Sequence, residues 1–504
     1  MPVARVLKTG LKWTPLPYMK VGMKFLLTHA NAGLVLSPGG RKTSITLGAL
    51  KVLFDKKLIK KVLIVAPKRP CYSVWPGEIE KWADFNHLTY EILHGPGKDR
   101  ALTRDANIYL INHDGLSWLL KSVKTKKQVP YVNKFTGQKG LTERVKIDVD
   151  VKAFKLLGFD VLVLDELHLF KHHNSQRSKA LKQVLHTFSR RWGLTGSPAA
   201  NGLIDLFGQC FILDMGHALG QFITHFRRDF FLPDPNGVDW DLQPGAEERI
   251  YERVAPLMLR METEALQQLP EMVFDDILVN LPSKVKEVYD DLEGDLIAGI
   301  QDHVIVAANA AAASSKLRQV CCGGVYHTDP LVVGKAKPKR GWTNLHLEKV
   351  NALQELVEDL QRSPLLIAYD FGHDLDRLRK AFPKATFACD VPDKEFRRME
   401  QRWNNGEIEQ LFGHPSSIGL GLNLQERGNH VCWHSPISDY TLYDQFNRRV
   451  LRSGNTHEAV FVHHLIARGT IEEMVIIPTV KLKEKTQNAF FGALVDYAKQ
   501  RRKG

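Results

Sequence analysis

The chain alternates short apolar runs with longer amphipathic stretches, and it does so in two series. Between Leu34 and Leu213 the runs are Gly33-Leu-Val-Leu36, Val62-Leu-Ile-Val65, Ile108-Tyr-Leu-Ile111 and Val161-Leu-Val-Leu164, each bounded by turn residues. Continuous apolar runs belong to strands buried on both faces. With helical patterns between them they predict βαβ units and a parallel sheet. A second series lies between Leu365 and Ile466: Leu365-Leu-Ile-Ala368, Glu409-Gln-Leu-Phe412, His430-Val-Cys-Trp433 and Val460-Phe-Val-His-His-Leu465. Two such series predict two α/β lobes, each with its own sheet, as expected for a chain of 504 residues that is too long for one core.

The expected boundaries follow. Residues 1–214 form the first lobe and 343–480 the second. Residues 215–342 form a mostly helical region between them, with an alanine-rich helix around Val306–Arg318 and a basic, proline-containing linker at Gly334–Gly341. Residues 481–504 form a basic tail with Phe490-Phe491 as an apolar anchor. One segment, 121–147, breaks the βα rhythm. From Lys121 to Lys146 it holds eight Lys/Arg against one acid, Glu143. Val129, Tyr131, Val145 and Ile147 alternate with polar residues around a glycine-containing turn, which predicts a basic β-hairpin projecting from the first lobe.

The net charge of +13 favours a polyanionic partner, of which nucleic acid is the commonest. No apolar run reaches the ~18 residues of a membrane span, and the N-terminus has no signal-peptide apolar region, so a cytoplasmic, non-membrane protein is expected. The six cysteines form no C-x-x-C pair, which fits reduced thiols without a metal cluster.

Two segments carry candidate chemistry. The first apolar run passes into Ser37-Pro-Gly-Gly-Arg-Lys-Thr43 and then into a helical pattern. A strand, a glycine-rich turn, Lys-Thr and a helix N-terminus together cradle phosphate, because backbone N–H groups and the positive helix end face the anion. Gly39, Gly40, Arg41, Lys42 and Thr43 are therefore the expected nucleotide-binding residues, with Lys42 on the β/γ-phosphates of ATP and the Thr43 hydroxyl on Mg²⁺. The run Val161–Leu164 ends in Asp165-Glu-Leu-His168, an acidic pair where open α/β sheets bind ligands. Asp165 would hold Mg²⁺ through water and Glu166 would orient and deprotonate the attacking water. Each segment alone also fits a plain turn or a helix cap. Their joint occurrence points to a nucleotide site.

The order of these blocks resembles the Swi/Snf-type branch of the superfamily 2 helicases, especially its compact phage-type members. The resemblance runs from about Leu16 to Glu473. Ala66-Pro67 with Trp75 and Glu78-Ile-Glu-Lys-Trp82, then Ile111-Asn-His-Asp114, then Asp165-Glu-Leu-His-Leu-Phe-Lys171 with Asn174-Ser-Gln-Arg-Ser-Lys179, then Leu194-Thr-Gly-Ser-Pro198 resemble successive family blocks. In the second lobe His414-Pro, Gly419-Leu-Gly-Leu-Asn-Leu-Gln425 and Gln445-x-x-x-Arg449-x-x-Arg452-x-Gly454 resemble the last motifs. The resemblance implies two RecA-like lobes with a nucleotide cleft between them. It implies that Arg449 and Arg452, three apart and so on one face of a helix, act as arginine fingers with Gln445 nearby. It further implies that His168, Thr195 and Ser197 couple nucleotide state to the nucleic-acid groove, and that Gly419, Gly421 and Asn423 form a turn at the phosphates or nucleotide. Lys68, His113 and the Ser416-Ser417 hydroxyls would lie near the tracked strand. Lys126, Lys127, Tyr131 and Lys134 of the hairpin would face nucleic acid, with Tyr131 or Phe135 stacking on an unpaired base.

The chain departs from the family pattern at two nucleotide contacts. Arg41 stands where the glycine before the lysine is expected, and Met19 stands where an adenine-reading glutamine is usual. A β-carbon at position 41 should crowd the phosphates, whereas its guanidinium adds a cation. The expected activity is that of a monomeric, Mg²⁺- and ATP-dependent DNA translocase or helicase on duplex or branched DNA, without sequence specificity. The alternative is a DNA-binding scaffold with an impaired nucleotide site. A nucleosome remodeller and a restriction-system motor are disfavoured, because the chain has no room for histone-reading appendages and shows no nuclease constellation.

Overall fold

The computed structural model describes residues 10–37, 39–132, 139–196, 198–199, 202–233, 240–261, 269–301, 307–327, 341–418, 422–452 and 454–482. The chain divides into two compact units, Met1–Leu266 and Gln267–Gly504. Each is built on one parallel sheet, so the chain is an α/β protein of two lobes.

In the first unit the strands are β1 (Asn31–Leu36), β2 (Val62–Ala66), β3 (Tyr90–Ile92), β4 (Ile108–Asn112), β5 (Val123–Val132), β6 (Lys139–Asp148), β7 (Val161–Asp165), β8 (Arg190–Thr195), β9 (Phe231–Pro233), β10 (Trp240–Leu242) and β11 (Met258–Met261). Seven of them form one sheet in the order β11-β1-β8-β7-β2-β4-β3, with every pairing parallel. The apolar runs identified in the sequence are its buried central strands: every residue of β2, β4 and β7 is buried. Helices cover both faces and make two apolar layers, one containing Leu162, Leu164 and Phe207 and the other Leu34, Leu50 and Trp192. β5 and β6 pair antiparallel as a separate two-stranded ribbon, and β9 and β10 form another.

The second unit contains β12 (Glu271–Val279), β13 (Gly324–Tyr326), β14 (Trp342–Asn344), β15 (Leu365–Ala368), β16 (Thr386–Phe387), β17 (Gln410–Gly413), β18 (His430–Trp433) and β19 (Ala459–Ala467). Its sheet runs β12-β19-β18-β15-β17-β16 and is also parallel throughout.

The segment expected as a helical region over 215–342 is divided between these two sheets. β11 closes one edge of the first by pairing with β1, and β12 closes one edge of the second by pairing with β19. The physical reason is the pairing itself. β12 reads Glu-Met-Val-Phe-Asp-Asp-Ile-Leu-Val, and its paired acids break the apolar run that marks a buried strand. Those acids are matched by histidines on the neighbouring strand: Asp275 Oδ2 lies 2.7 Å from His463 Nδ1, and Asp276 Oδ1 lies 2.8 Å from His464 Nδ1. The alanine-rich helix spans Ala307–Cys322.

The basic insertion is a hairpin with ten residues in each strand, in which Lys127 pairs opposite Arg144 and Tyr131 opposite Gly140. Its base is anchored, with Ile147 buried in the core and its carbonyl accepting from Gln183 Nε2 at 2.8 Å. The side chains of Lys126, Lys127 and Tyr131, and the whole of Lys134, Phe135, Ser197, Gly419 and Gly421, lie outside the described residues, as do most of the 334–341 linker and the 481–504 tail. Among the described residues no helix is long and apolar enough to cross a membrane.

Candidate functional site

The three strands that carry the candidate chemistry are neighbours in the order β1-β8-β7. Their register sets Leu34 beside Leu194 and Leu194 beside Asp165. The loops leaving their C-terminal ends therefore emerge side by side, at the edge where parallel sheets bind ligands. The loop after β1 bends through Gly39 at φ 85° and Arg41 at φ 54°, and the helix Lys42–Asp55 starts directly behind it. Within this loop the Lys42 ammonium donates to the carbonyls of Leu36 at 2.9 Å and Ser37 at 3.4 Å. Thr43 follows, half-buried in the first helical turn.

Asp165 ends β7 and is 9 % exposed. Its Oδ2 accepts from the Trp75 indole N–H at 3.0 Å and its Oδ1 from the Glu166 backbone N–H at 3.1 Å. Burial and the adjacent Glu166 carboxylate push the Asp165 carboxyl up to about 6, although Trp75 and Lys42 oppose the shift. Glu166 has a left-handed backbone, φ 56°, which turns its side chain out of the strand direction. Its Oε2 lies 3.3 Å from His168 Nδ1.

His113, expected beside the tracked strand, follows β4 in a short helical turn, His113–Gly115. It is 6 % exposed, packs on Phe170 at 5.6 Å, and burial together with Arg177 holds its imidazole near 4. The Glu166 carboxylate and the Asp165 backbone act on the same ring in the opposite direction, so His113 lies close to the acidic pair. Thr195 ends β8, is fully buried, and its hydroxyl has no hydrogen-bond partner among the described residues. Lys68 is exposed just past β2. Met19 is 1 % exposed, and its sulfur lies 3.4 Å from the Leu16 N–H.

Sequence reasoning gave no role to the short helix Val74–Lys81, yet it braces both halves of the site. Its Trp75 holds Asp165, and its Glu78 accepts from Ser44 Oγ at 2.8 Å and from the Trp82 indole at 2.8 Å. The pairing spans 90 positions for Trp75 and Asp165, so no local pattern exposes it.

In the second unit Arg449 and Arg452 do not share a helix face as expected, because the helix Tyr440–Asn447 ends before them. The Arg449 carbonyl accepts instead from the Leu424 N–H at 3.0 Å, a tertiary bond in place of a helical one. They converge on one acceptor: Arg449 Nη1 and Arg452 Nη1 donate to the Leu422 carbonyl at 3.1 and 3.2 Å. Arg452 also donates to Asn423 Oδ1, and the Gln445 carbonyl accepts from Arg449 Nε at 2.9 Å. Nearby, Ser416 Oγ and His414 Nδ1 are 2.8 Å apart, and His414 Nε2 faces Asp370 at 3.3 Å.

A family model described as the SNF2-related domain matches residues 18–324, more than half of the chain. The chain belongs to the SNF2-related family. With that membership it is a helicase-type ATPase, and the strand-edge cluster of Lys42, Thr43, Asp165 and Glu166 is its nucleotide-site candidate. The p41 protein of Acyrthosiphon pisum secondary endosymbiont phage 1 is 30 % identical over 92 % of this chain and 95 % of its own length. The chromatin-remodelling factor PICKLE of Arabidopsis thaliana is 25 % identical, over 94 % of this chain but 34 % of its own. The human DNA annealing helicase and endonuclease ZRANB3 is 23 % identical, over 91 % and 39 %. The chain thus spans nearly all of the phage relative but little more than a third of these eukaryotic ones. The SWI2/SNF2 ATPase core of Sulfolobus solfataricus, solved with double-stranded DNA, has 19 % identity and a TM-score of 0.41, covering 95 % of this chain and 93 % of that one.

Proposed function

We propose that the chain is an ATP- and Mg²⁺-dependent DNA translocase that acts on duplex or branched DNA and drives branch migration, fork remodelling or limited unwinding. The observation that carries this reading is the side-by-side emergence of the Lys42-Thr43 loop, the Asp165-Glu166 pair and Thr195 from three adjacent strands. Lys42 would release its loop carbonyls to bind the β/γ-phosphates. The residues fit Mg²⁺, because a buried carboxyl already pushed up to about 6 beside a second acid favours a dication that offsets the crowded charge. Thr43 and Asp165 would hold the ion, which supplies charge neutralisation at the phosphates. Glu166 would take the proton of the attacking water, with His168 fixing its orientation. Arg449 and Arg452 would neutralise the γ-phosphate as it leaves, a contribution of roughly 10³ or more in rate.

DNA as partner is supported by the +13 charge and by the basic ribbon β5–β6. Branched DNA is favoured by the ribbon, whose two ten-residue strands span roughly 33 Å, enough to act as a wedge at a junction. ZRANB3, which carries an annealing-helicase name, is consistent with this. Replacing Lys126 and Lys127 by Glu should reduce junction unwinding while leaving basal ATP hydrolysis intact, and unchanged unwinding rules out the wedge.

The test of the whole reading is steady-state ATP hydrolysis without nucleic acid and with duplex, single strands or a four-way junction, beside a Glu166→Gln control. Strong stimulation by duplex or junction, lost in the control, is the expected result. A second reading, a DNA-binding scaffold with an impaired nucleotide site, is favoured by the left-handed backbone at Arg41. It becomes the better one if hydrolysis never exceeds the control.

A further inference from the structure

The turn on which the two arginines rest is held from below by one helix. Along Phe396–Asn404, three side chains on one face reach the segment 422–426. Glu400 accepts twice from Asn423, from its backbone N–H at 3.1 Å and its side-chain amide at 3.4 Å. The Trp403 indole donates to the Leu424 carbonyl at 2.9 Å. Asn404 donates to the Asn423 carbonyl at 2.9 Å and accepts from the Glu426 N–H at 3.3 Å. Asn423 is the middle of a relay, since its Oδ1 takes the Arg452 guanidinium while its two N–H groups are held by Glu400.

We propose that Glu400 is a positioning residue for catalysis: by gripping both donors of Asn423 it fixes the Leu422–Asn423 turn from which Arg449 and Arg452 are aimed. The inference rests on the role of those arginines proposed above. Its chemical content is specific. Asn423 offers two donors to one side chain, and only an ionised carboxylate supplies two acceptors without a donor of its own. A glutamine keeps the size but turns an NH₂ toward an NH₂ or an N–H. Burial pushes the Glu400 carboxyl up to about 7, opposed by the Asn423 donors and by Arg452 and Arg397, the two cations that face it from the turn and from its own helix. Both cations stay charged throughout the neutral range, so Glu400 is the group there that titrates. Its protonation puts a hydroxyl donor against Asn423 and loosens the grip as the substitution does.

The experiment measures kcat and KM for DNA-stimulated ATP hydrolysis from pH 5.5 to 8.5 in the full chain, with Glu400→Gln, Glu400→Asp, Asn423→Ala and the double variant Glu400→Gln/Asn423→Ala. Aiming errors of a fraction of an ångström act on the transition state, so Glu400→Gln should lower kcat about tenfold and leave KM for ATP nearly unchanged. Wild-type kcat should fall as pH drops through 7, and that limb should vanish in Glu400→Gln. The double variant should be no slower than either single one, because both break one relay. Glu400→Asp, which keeps the charge, should recover part of the rate and serves as the readout if Glu400→Gln does not fold. An unchanged kcat and pH profile in Glu400→Gln overturns the proposal, as does an additive double variant. Arg449→Ala and Arg452→Ala keep the two failures apart. If they hydrolyse ATP at the wild-type rate, the arginine assignment has failed; if they are inactive while Glu400→Gln is normal, only the Glu400 proposal has.

Discussion

Replacing Arg41 by glycine should make the first unit more stable, and the margin can be worked from the backbone. Arg41 sits at φ 54° and ψ 34°, immediately before the helix Lys42–Asp55. An L-residue held there pays ~1–2 kcal/mol, because its β-carbon crowds the following carbonyl. Glycine pays nothing in that conformation, but its freer unfolded chain returns roughly 0.4–1 kcal/mol. Taken at the middle of each range, the net is a gain of about 0.8 kcal/mol. For a unit that spans 266 residues this corresponds to a rise in Tm of roughly 1–4 °C, within reach of scanning calorimetry. The control is Arg41→Ala, which removes the guanidinium and keeps the β-carbon, and should give no gain. The reasoning is refuted if alanine stabilises as much as glycine, or if glycine lowers Tm. Calorimetry with the same two variants should be paired with KM for ATP. A fall in the glycine variant alone marks the β-carbon as an obstacle to phosphate. A rise in both marks the guanidinium as a phosphate ligand.

Two further outcomes test the interior of each unit. Asp165 has a folded-state carboxyl raised to about 6 from an unfolded value of 3.8, so the folded state binds its proton more tightly. In the absence of Mg²⁺ its destabilising contribution should be full above about 6 and relieved as pH falls toward about 4. Asp165→Asn should flatten that part of the stability profile measured by urea unfolding, and an unchanged slope counts against the assignment. In the second unit Lys349 and Glu472 form an ion pair with both side chains fully buried, at 2.6 Å, and the Lys349 ammonium also donates to the His434 carbonyl at 3.2 Å. Glu472→Gln should cost about 3–5 kcal/mol because it strands a buried cation, whereas Lys349→Met/Glu472→Leu should restore most of that loss. A single variant as stable as the wild type refutes the pairing.

The central strands of both sheets were legible because burial on two faces writes itself as a run of apolar residues, as in Val62–Val65 and Val161–Leu164. That the Lys42-Thr43 loop follows β1 and the Asp165-Glu166 pair closes β7 was legible too, because each comes directly at the end of an apolar run. The edge strands were not. β11 and β12 have neighbours on only one side, so they tolerate Arg260 and the Asp275-Asp276 pair and lose the apolar signature. Burial of polar side chains was also hidden: nothing in Ile-Asn-His-Asp marks His113 as an interior ring. The acceptors of Arg449 and Arg452 stayed out of reach for a different reason. A spacing of three suggests a helix face, but the helix stops at Asn447 and the Arg449 carbonyl is taken by Leu424, a distant residue with no local mark. Glu400 lies in Phe-Arg-Arg-Met-Glu-Gln-Arg-Trp-Asn, where an acid among cations reads as one more solvated charge.

The pairing of β12 with β19 bears on how the polypeptide is made. Glu271 faces Ala459, so the partner of β12 leaves the ribosome about 190 residues after it, a wait of roughly 10–40 s at ordinary rates of synthesis. Throughout that interval a nine-residue strand containing Met272, Val273, Phe274, Ile277 and Leu278 has its ladder groups open to any other strand edge. Asp275 and Asp276 interrupt that apolar sequence at its centre, and their repulsion discourages two nascent chains from joining through it. The same two carboxylates that later meet His463 and His464 thus guard the strand until those histidines have been synthesised.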